Sequence, residues 1–130
     1  NLDYLIIACP LTDKTKNMIN MNIFNSMKKT GVIINIARGG IINEGDLYKA
    51  LKSKIIGGAI IDTWFKYPHN KEENNFKPSN YSFNKMKNVV MSPHISAWSE
   101  NMIDRRSKVI SNNINRLYEG KVLINVVKKG

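Results

Sequence analysis

Cysteine occurs once in the 130 residues, at Cys9, so no disulfide can close within the chain. That suits a reducing compartment, and a cytoplasmic location is the expectation. No apolar run approaches the roughly 20 residues that cross a bilayer as a helix. No secretory signal opens the chain either, so no membrane partner is expected. Arginine is scarce: there are four, against sixteen lysines, and the net charge is +10. A charge of that size raises the question of nucleic acid. The excess, however, is lysine set among asparagine, as in NKEENNFKPSNYSFNKMKN, without interleaved arginine and aromatic residues on which bases stack. It reads as solvated surface, and no nucleic-acid partner is expected.

What is present is a series of short, β-branched runs: YLIIAC (4–9), GVIINIA (31–37), IGGAIID (56–62) and NVVMS (88–92). They are nearly continuous rather than alternating, as in parallel strands buried on both faces. Between the first two, Ile19, Ile23, Phe24 and Met27 share a helical face and Gly31 follows as a stop. Between the next two, Leu47, Ala50 and Leu51 fall at i, i+3 and i+4 behind Asn43, a capping candidate. Strands joined by helical crossovers predict an α/β fold, a doubly wound parallel sheet. The third connection, through residue 87, has no helical period. After the fourth strand, Met102, Ile103, Val109, Ile110, Ile114, Leu117 and Tyr118 form the stripe of a long C-terminal helix, with Ser99 as a possible cap and Gly120 as a stop. The chain enters its first strand almost at once and without a methionine, and is expected to be the later part of a longer protein.

Open α/β sheets bind ligands beyond the carboxyl ends of their strands. There stand Cys9 and Pro10, then Arg38-Gly39-Gly40, then Asp62, then Pro93-His94. Together they offer an anion fork, a carboxylate and a titratable imidazole. Each also has a plainer reading. Arg38 can form a surface ion pair, Asp62 can cap a turn, His94 can be a hydrogen-bonded structural histidine, and Gly39-Gly40 is a turn signal. Cys9, with no histidine or carboxylate beside it, reads as a small buried hydrophobe. Recurrence at four successive strand ends favours a site.

The segments CPLTDKTKNMIN, MKKTGVIINIARGGIINEGDLYKALKS, GGAIIDTW and NVVMSPHIS together resemble the nucleotide-binding domain of the D-isomer-specific 2-hydroxyacid dehydrogenases, in order and over nearly the whole chain. The resemblance implies the later half of a Rossmann-like domain spanning 1–130, with the Gly-rich phosphate loop and the substrate domain upstream. It also implies an oxidoreductase acting with NAD or NADP on small 2-keto and 2-hydroxy acids, a homodimer when full length. Arg38 would then hold the substrate carboxylate and His94 would be the general acid. Cys9, Pro10, Thr15, Ile36, Ala37, Arg38, Asp62, His94 and Ala97 would line the cofactor, Asp62 at the nicotinamide carboxamide. No metal is expected. The alternative is a dinucleotide-sensing, corepressor-like binding protein of the same fold. One departure stands out. Where the family usually has a glutamate orienting the histidine, this chain has Tyr67, with Glu72 and Glu73 further along the loop as candidate replacements.

Overall fold

The computed structural model describes residues 2–68 and 75–127. Contacts divide the chain into two compact units, Asn1–Ser96 and Ala97–Gly130. In the first, β1 (Tyr4–Ile7), β2 (Val32–Asn35), β3 (Gly58–Ile61) and β4 (Val89–Met91) form one parallel sheet in that order. Helices α1 (Met21–Ser26) and α2 (Glu44–Lys52) lie in the first two connections, as the sequence predicts.

The register explains which side chains make the core. Leu5, Ile33, Ala59 and Val89 stand in one row, and Ile7, Asn35, Ile61 and Met91 in another on the same face. Most of these residues pack with Phe24, Met27, Leu47, Ala50 and Leu51 from α1, α2 and their flanks. The intervening row, Ile6, Ile34, Ile60 and Val90, points the other way; Ile6 is 59% and Val90 60% exposed. The strands are therefore covered on one face rather than on both, because both connecting helices give their buried side chains to the same cluster.

Helix α1 is shorter than its apolar spacing suggests. Asn20 caps it by accepting from the Asn22 N–H, and Asp46 of α2 accepts the Met21 N–H at 3.0 Å. It then ends at Ser26, whose hydroxyl turns back to the Ile23 carbonyl, so Gly31 lies beyond the stop. In α2 the expected cap forms, Asn43 Oδ1 accepting from the Asp46 N–H, and Leu47, Ala50 and Leu51 are buried. The third connection holds only a 3-10 turn, Phe83–Lys85, among its described residues. Glu72 and Glu73 lie outside the described residues.

The second unit is built on α3 (Met102–Tyr118). Ser99 does not cap it with its side chain; its carbonyl accepts from the Met102 N–H and its hydroxyl from Arg105. Gly120 ends it in the left-handed region, with Gly120 N–H bonded to Leu117 O and Lys121 N–H to Arg116 O. Asn113 pairs both ways with Ile124, holding the following segment against the helix. The apolar stripe of α3 is exposed at Ile103, Ile110, Ile114 and Leu117.

Candidate active site at the carboxyl ends of the strands

Every strand of the first unit ends in a loop that carries one of the expected residues. After β1, Cys9 and Pro10 form a wall of an open groove of about 730 Å³, lined also by Ala8, Leu11, Ile36, Ala37 and Arg38. Thr15 is occupied within its own loop, its hydroxyl donating to the Pro10 carbonyl at 2.8 Å and accepting from the Thr12 N–H at 2.7 Å. That bonding shapes the groove's edge.

After β2 the chain makes a turn that the sequence does not announce. Asn35, fully buried, accepts the Ala37 N–H on Oδ1 and donates from Nδ2 to the Arg38 carbonyl, both at 3.0 Å. The first is an Asx turn, for which an asparagine ending an apolar run is the usable signal. The turn presents Arg38 with its guanidinium exposed, donating to the Ala37 carbonyl. Among the described residues Arg38 has no carboxylate partner, so the ion-pair alternative finds none there.

Gly39 sets the distance between this turn and the next loop. A Cβ there would stand 2.3 Å from the Trp64 carbonyl oxygen and 2.8 Å from the Phe65 nitrogen. Both are backbone atoms and cannot swing aside. Gly39→Ala should cost about 1–3 kcal/mol, read as a lower denaturant midpoint, by forcing the Arg38 turn off the loop after β3. A midpoint equal to wild type would contradict this packing.

The ends of β3 and β4 are knitted together. Asp62, only 2% exposed, accepts the Ile95 N–H on Oδ1 at 2.9 Å and the Ser96 N–H on Oδ2 at 3.1 Å. Burial pushes its carboxyl up, but bonds from the Ser92 and Ser96 hydroxyls and these two N–H groups outweigh it, holding the group well below the usual carboxylate range. Asp62 thus secures the turn that follows His94. His94 itself sits at φ 60°, a left-handed conformation uncommon for residues other than glycine. The indole N–H of Trp64 donates to the Ser92 carbonyl at 3.0 Å, a second strap that sequence reasoning did not foresee. The imidazole has a partner too: Tyr67 Oη lies 3.0 Å from His94 Nδ1. The loss of a glutamate at that place therefore does not leave the ring without a hydrogen bond.

The structure thus puts Cys9, Pro10, Ile36, Ala37 and Arg38 around one groove, and Asp62, Tyr67 and His94 in a second, bonded group at the same edge of the sheet. Ala97 belongs to the second unit.

A family model described as the D-isomer specific 2-hydroxyacid dehydrogenase, NAD binding domain, matches residues 1–96. The chain belongs to that family. Human glyoxylate reductase/hydroxypyruvate reductase is 35% identical over 112 residues, which are 86% of this chain and 32% of the relative. Glyoxylate reductase of Thermococcus kodakarensis is 33% identical over 98% of this chain and 35% of its own length. Among solved structures, the NAD-complexed D-isomer specific 2-hydroxyacid dehydrogenase of Lactobacillus delbrueckii ssp. bulgaricus superposes with a TM-score of 0.83 at 28% identity, over 97% of this chain and 40% of that one. The NADPH-dependent glyoxylate/hydroxypyruvate reductase of Sinorhizobium meliloti, in complex with NADP and sulfate, gives 0.78 at 29% identity, over 97% and 38%. The chain spans between a third and two fifths of the length of most of these relatives. The dehydrogenase family accounts for the parallel, Rossmann-like sheet.

Proposed function

We propose that this chain, residues 1–130, is part of the NAD(P)-binding domain of an oxidoreductase that moves a hydride between NAD(P) and the second carbon of small 2-hydroxy and 2-keto acids. The observation that carries this reading is the grouping at one sheet edge of a guanidinium that has no carboxylate partner among the described residues and an exposed imidazole tethered through Nδ1. The named relatives, reductases of glyoxylate and hydroxypyruvate, support it. No observation favours a corepressor-like role. Cytoplasmic location, assembly as a homodimer and the lack of a nucleic-acid partner belong to the same proposal.

The groove suits one end of a dinucleotide. Its lining mixes the small Ala8, Cys9 and Ala37 with Pro10, Leu11 and Ile36, so backbone and apolar surface can approach a flat ring. Cys9, Pro10, Ile36 and Ala37 would line it, with Thr15 shaping the loop and Asp62 contributing as the resemblance implies. When bound, the nicotinamide supplies or accepts the hydride. Arg38 holds the substrate carboxylate through two parallel hydrogen bonds, fixing the keto carbon's orientation. His94 gives the Nε2 proton to the keto oxygen during reduction and recovers it from the hydroxyl during oxidation. Its ring becomes neutral as the hydroxy acid forms.

The test is to follow reduced-nicotinamide absorbance with glyoxylate, pyruvate and hydroxypyruvate, using the native protein that carries this chain. Arg38→Lys keeps the charge but not the fork, so KM for the keto acid should rise and kcat fall, together by about tenfold or more in kcat/KM. Unchanged kinetics in a folded variant would remove Arg38 from the site.

A further inference from the structure

Tyr67 occupies an unusual position in the bonding around His94. Its phenol oxygen accepts the Trp64 N–H at 3.1 Å and meets His94 Nδ1 at 3.0 Å, with the two rings tilted at 49° and their centroids 5.6 Å apart. Trp64 in turn donates to the carbonyl of Ser92, two residues before His94. Three hydrogen bonds therefore close a circuit from the loop after β3 to the loop after β4. Asp62 fixes the other side of His94 through the next two N–H groups. The backbone of His94 is held by Asp62, and its ring by Tyr67.

A phenol has one proton to give and two lone pairs to accept with. Trp64 takes one lone pair. The remaining lone pair and the hydroxyl proton both serve Nδ1: the oxygen accepts when Nδ1 carries hydrogen, and the hydroxyl donates when Nδ1 is bare. We propose that Tyr67 is the positioning residue of His94, a neutral partner that holds the imidazole through Nδ1 in its charged form and in either neutral tautomer. This deepens the reading of His94 as the proton donor and rests on it. A carboxylate at this place would accept only, and would add a negative charge beside the ring. The phenol gives orientation without that charge. The ring can then exchange its proton at Nε2 with substrate while the tether reverses direction rather than breaking. Of the charged groups on the loop after β3, the Asp62 carboxylate is engaged with Ile95 and Ser96 and the exposed Lys66 ammonium with Asn80 Oδ1.

The experiment uses the native protein with labelled histidine, reading the His94 ring ¹⁵N shifts beside steady-state kinetics and pH profiles for Tyr67→Phe, Tyr67→Gln and Tyr67→Glu. His94→Asn assigns the signal. Tyr67→Phe should change the tautomer balance reported by the ring shifts. It should also lower kcat by about ten- to a hundredfold with KM for the keto acid little changed, as expected of a misplaced proton donor. Tyr67→Gln, whose amide can also give or accept, should restore most of kcat. Tyr67→Glu should restore the tether and move the upper limb of the reductive pH profile upward, because a carboxylate favours the imidazolium. Ring shifts identical in wild type and Tyr67→Phe would overturn the proposal, as would a loss of kcat that Gln and Glu both fail to recover. If Tyr67→Phe does not fold, Gln and Glu still decide it, because both should keep kcat while only Glu moves the upper limb of the pH profile upward. The ring shifts test the Tyr67 tether even where His94→Asn keeps full activity, an outcome that would sink the proton-donor reading alone.

Discussion

His94→Asn should lower kcat for keto-acid reduction by about 10²- to 10⁴-fold, the range typical of a lost general acid. Asparagine is the informative replacement for two physical reasons. At φ 60° the residue sits in the left-handed region, which asparagine enters more readily than most side chains, so the turn held by Asp62 should survive. Its short amide also keeps a polar atom near the Tyr67 hydroxyl, but nothing reaches as far as Nε2. The loss should therefore fall on kcat, with substrate still held by Arg38 and KM changed only modestly. Single-turnover measurements would separate chemistry from product release. Activity within a few fold of wild type in the folded variant would show that the proton comes from elsewhere.

Asp62→Asn should lower stability by about 2 kcal/mol and abolish most of the activity through disorder of the His94 turn. Both carboxylate oxygens receive N–H groups in a nearly sealed site. An amide offers one acceptor, and its NH₂ then faces a donor. The effect has a pH signature. The folded-state carboxyl is depressed below its unfolded value of about 3.9. Its contribution is complete above that pH and is lost as pH falls through and below it, the folded form resisting the proton that the unfolded form binds. Wild type should accordingly lose stability on acidification more steeply than Asp62→Asn, and the two curves should converge in strong acid. Denaturant titrations at several pH values would show it. Parallel curves would mean that the Asp62 carboxylate is not the group whose ionisation stabilises the turn.

The regular elements of the first unit were legible in the sequence because they depend on local spacing. Four β-branched runs became four strands, and Asn43 capped α2 as its position ahead of Leu47 suggests. The length of α1 was not legible. It is set by Asp46, a residue from another helix that closes its first turn, and by a serine that folds back at its end. The strand ends were read as the place of the candidate site, yet the residues that brace it were missed. Asn35 is polar and closes β2 partway along the apolar run GVIINIA, so a hydrophobic pattern records it only as an interruption. Tyr67 was measured against a glutamate by charge, which made its loop look deficient. Its oxygen meets a ring 27 residues further along, and a hydrogen bond of that reach leaves no mark on neighbouring residues.

The strictly sequential order of the sheet bears on how it forms. Tyr4 pairs with Val32, Val32 with Gly58, and Ala59 with Val89, so each strand docks on its predecessor after closing a loop of similar length. Closure entropy grows only slowly with loop length, and here no strand waits for a distant one to arrive between its neighbours. Assembly can begin at β2 and β3, whose connection carries the better-formed helix, and spread outward in both directions. The Arg38 turn then sets with the first pair, against the backbone of Trp64. The imidazole of His94 takes its place only when β4 docks, so a partly folded sheet would carry the Arg38 turn before the proposed proton donor.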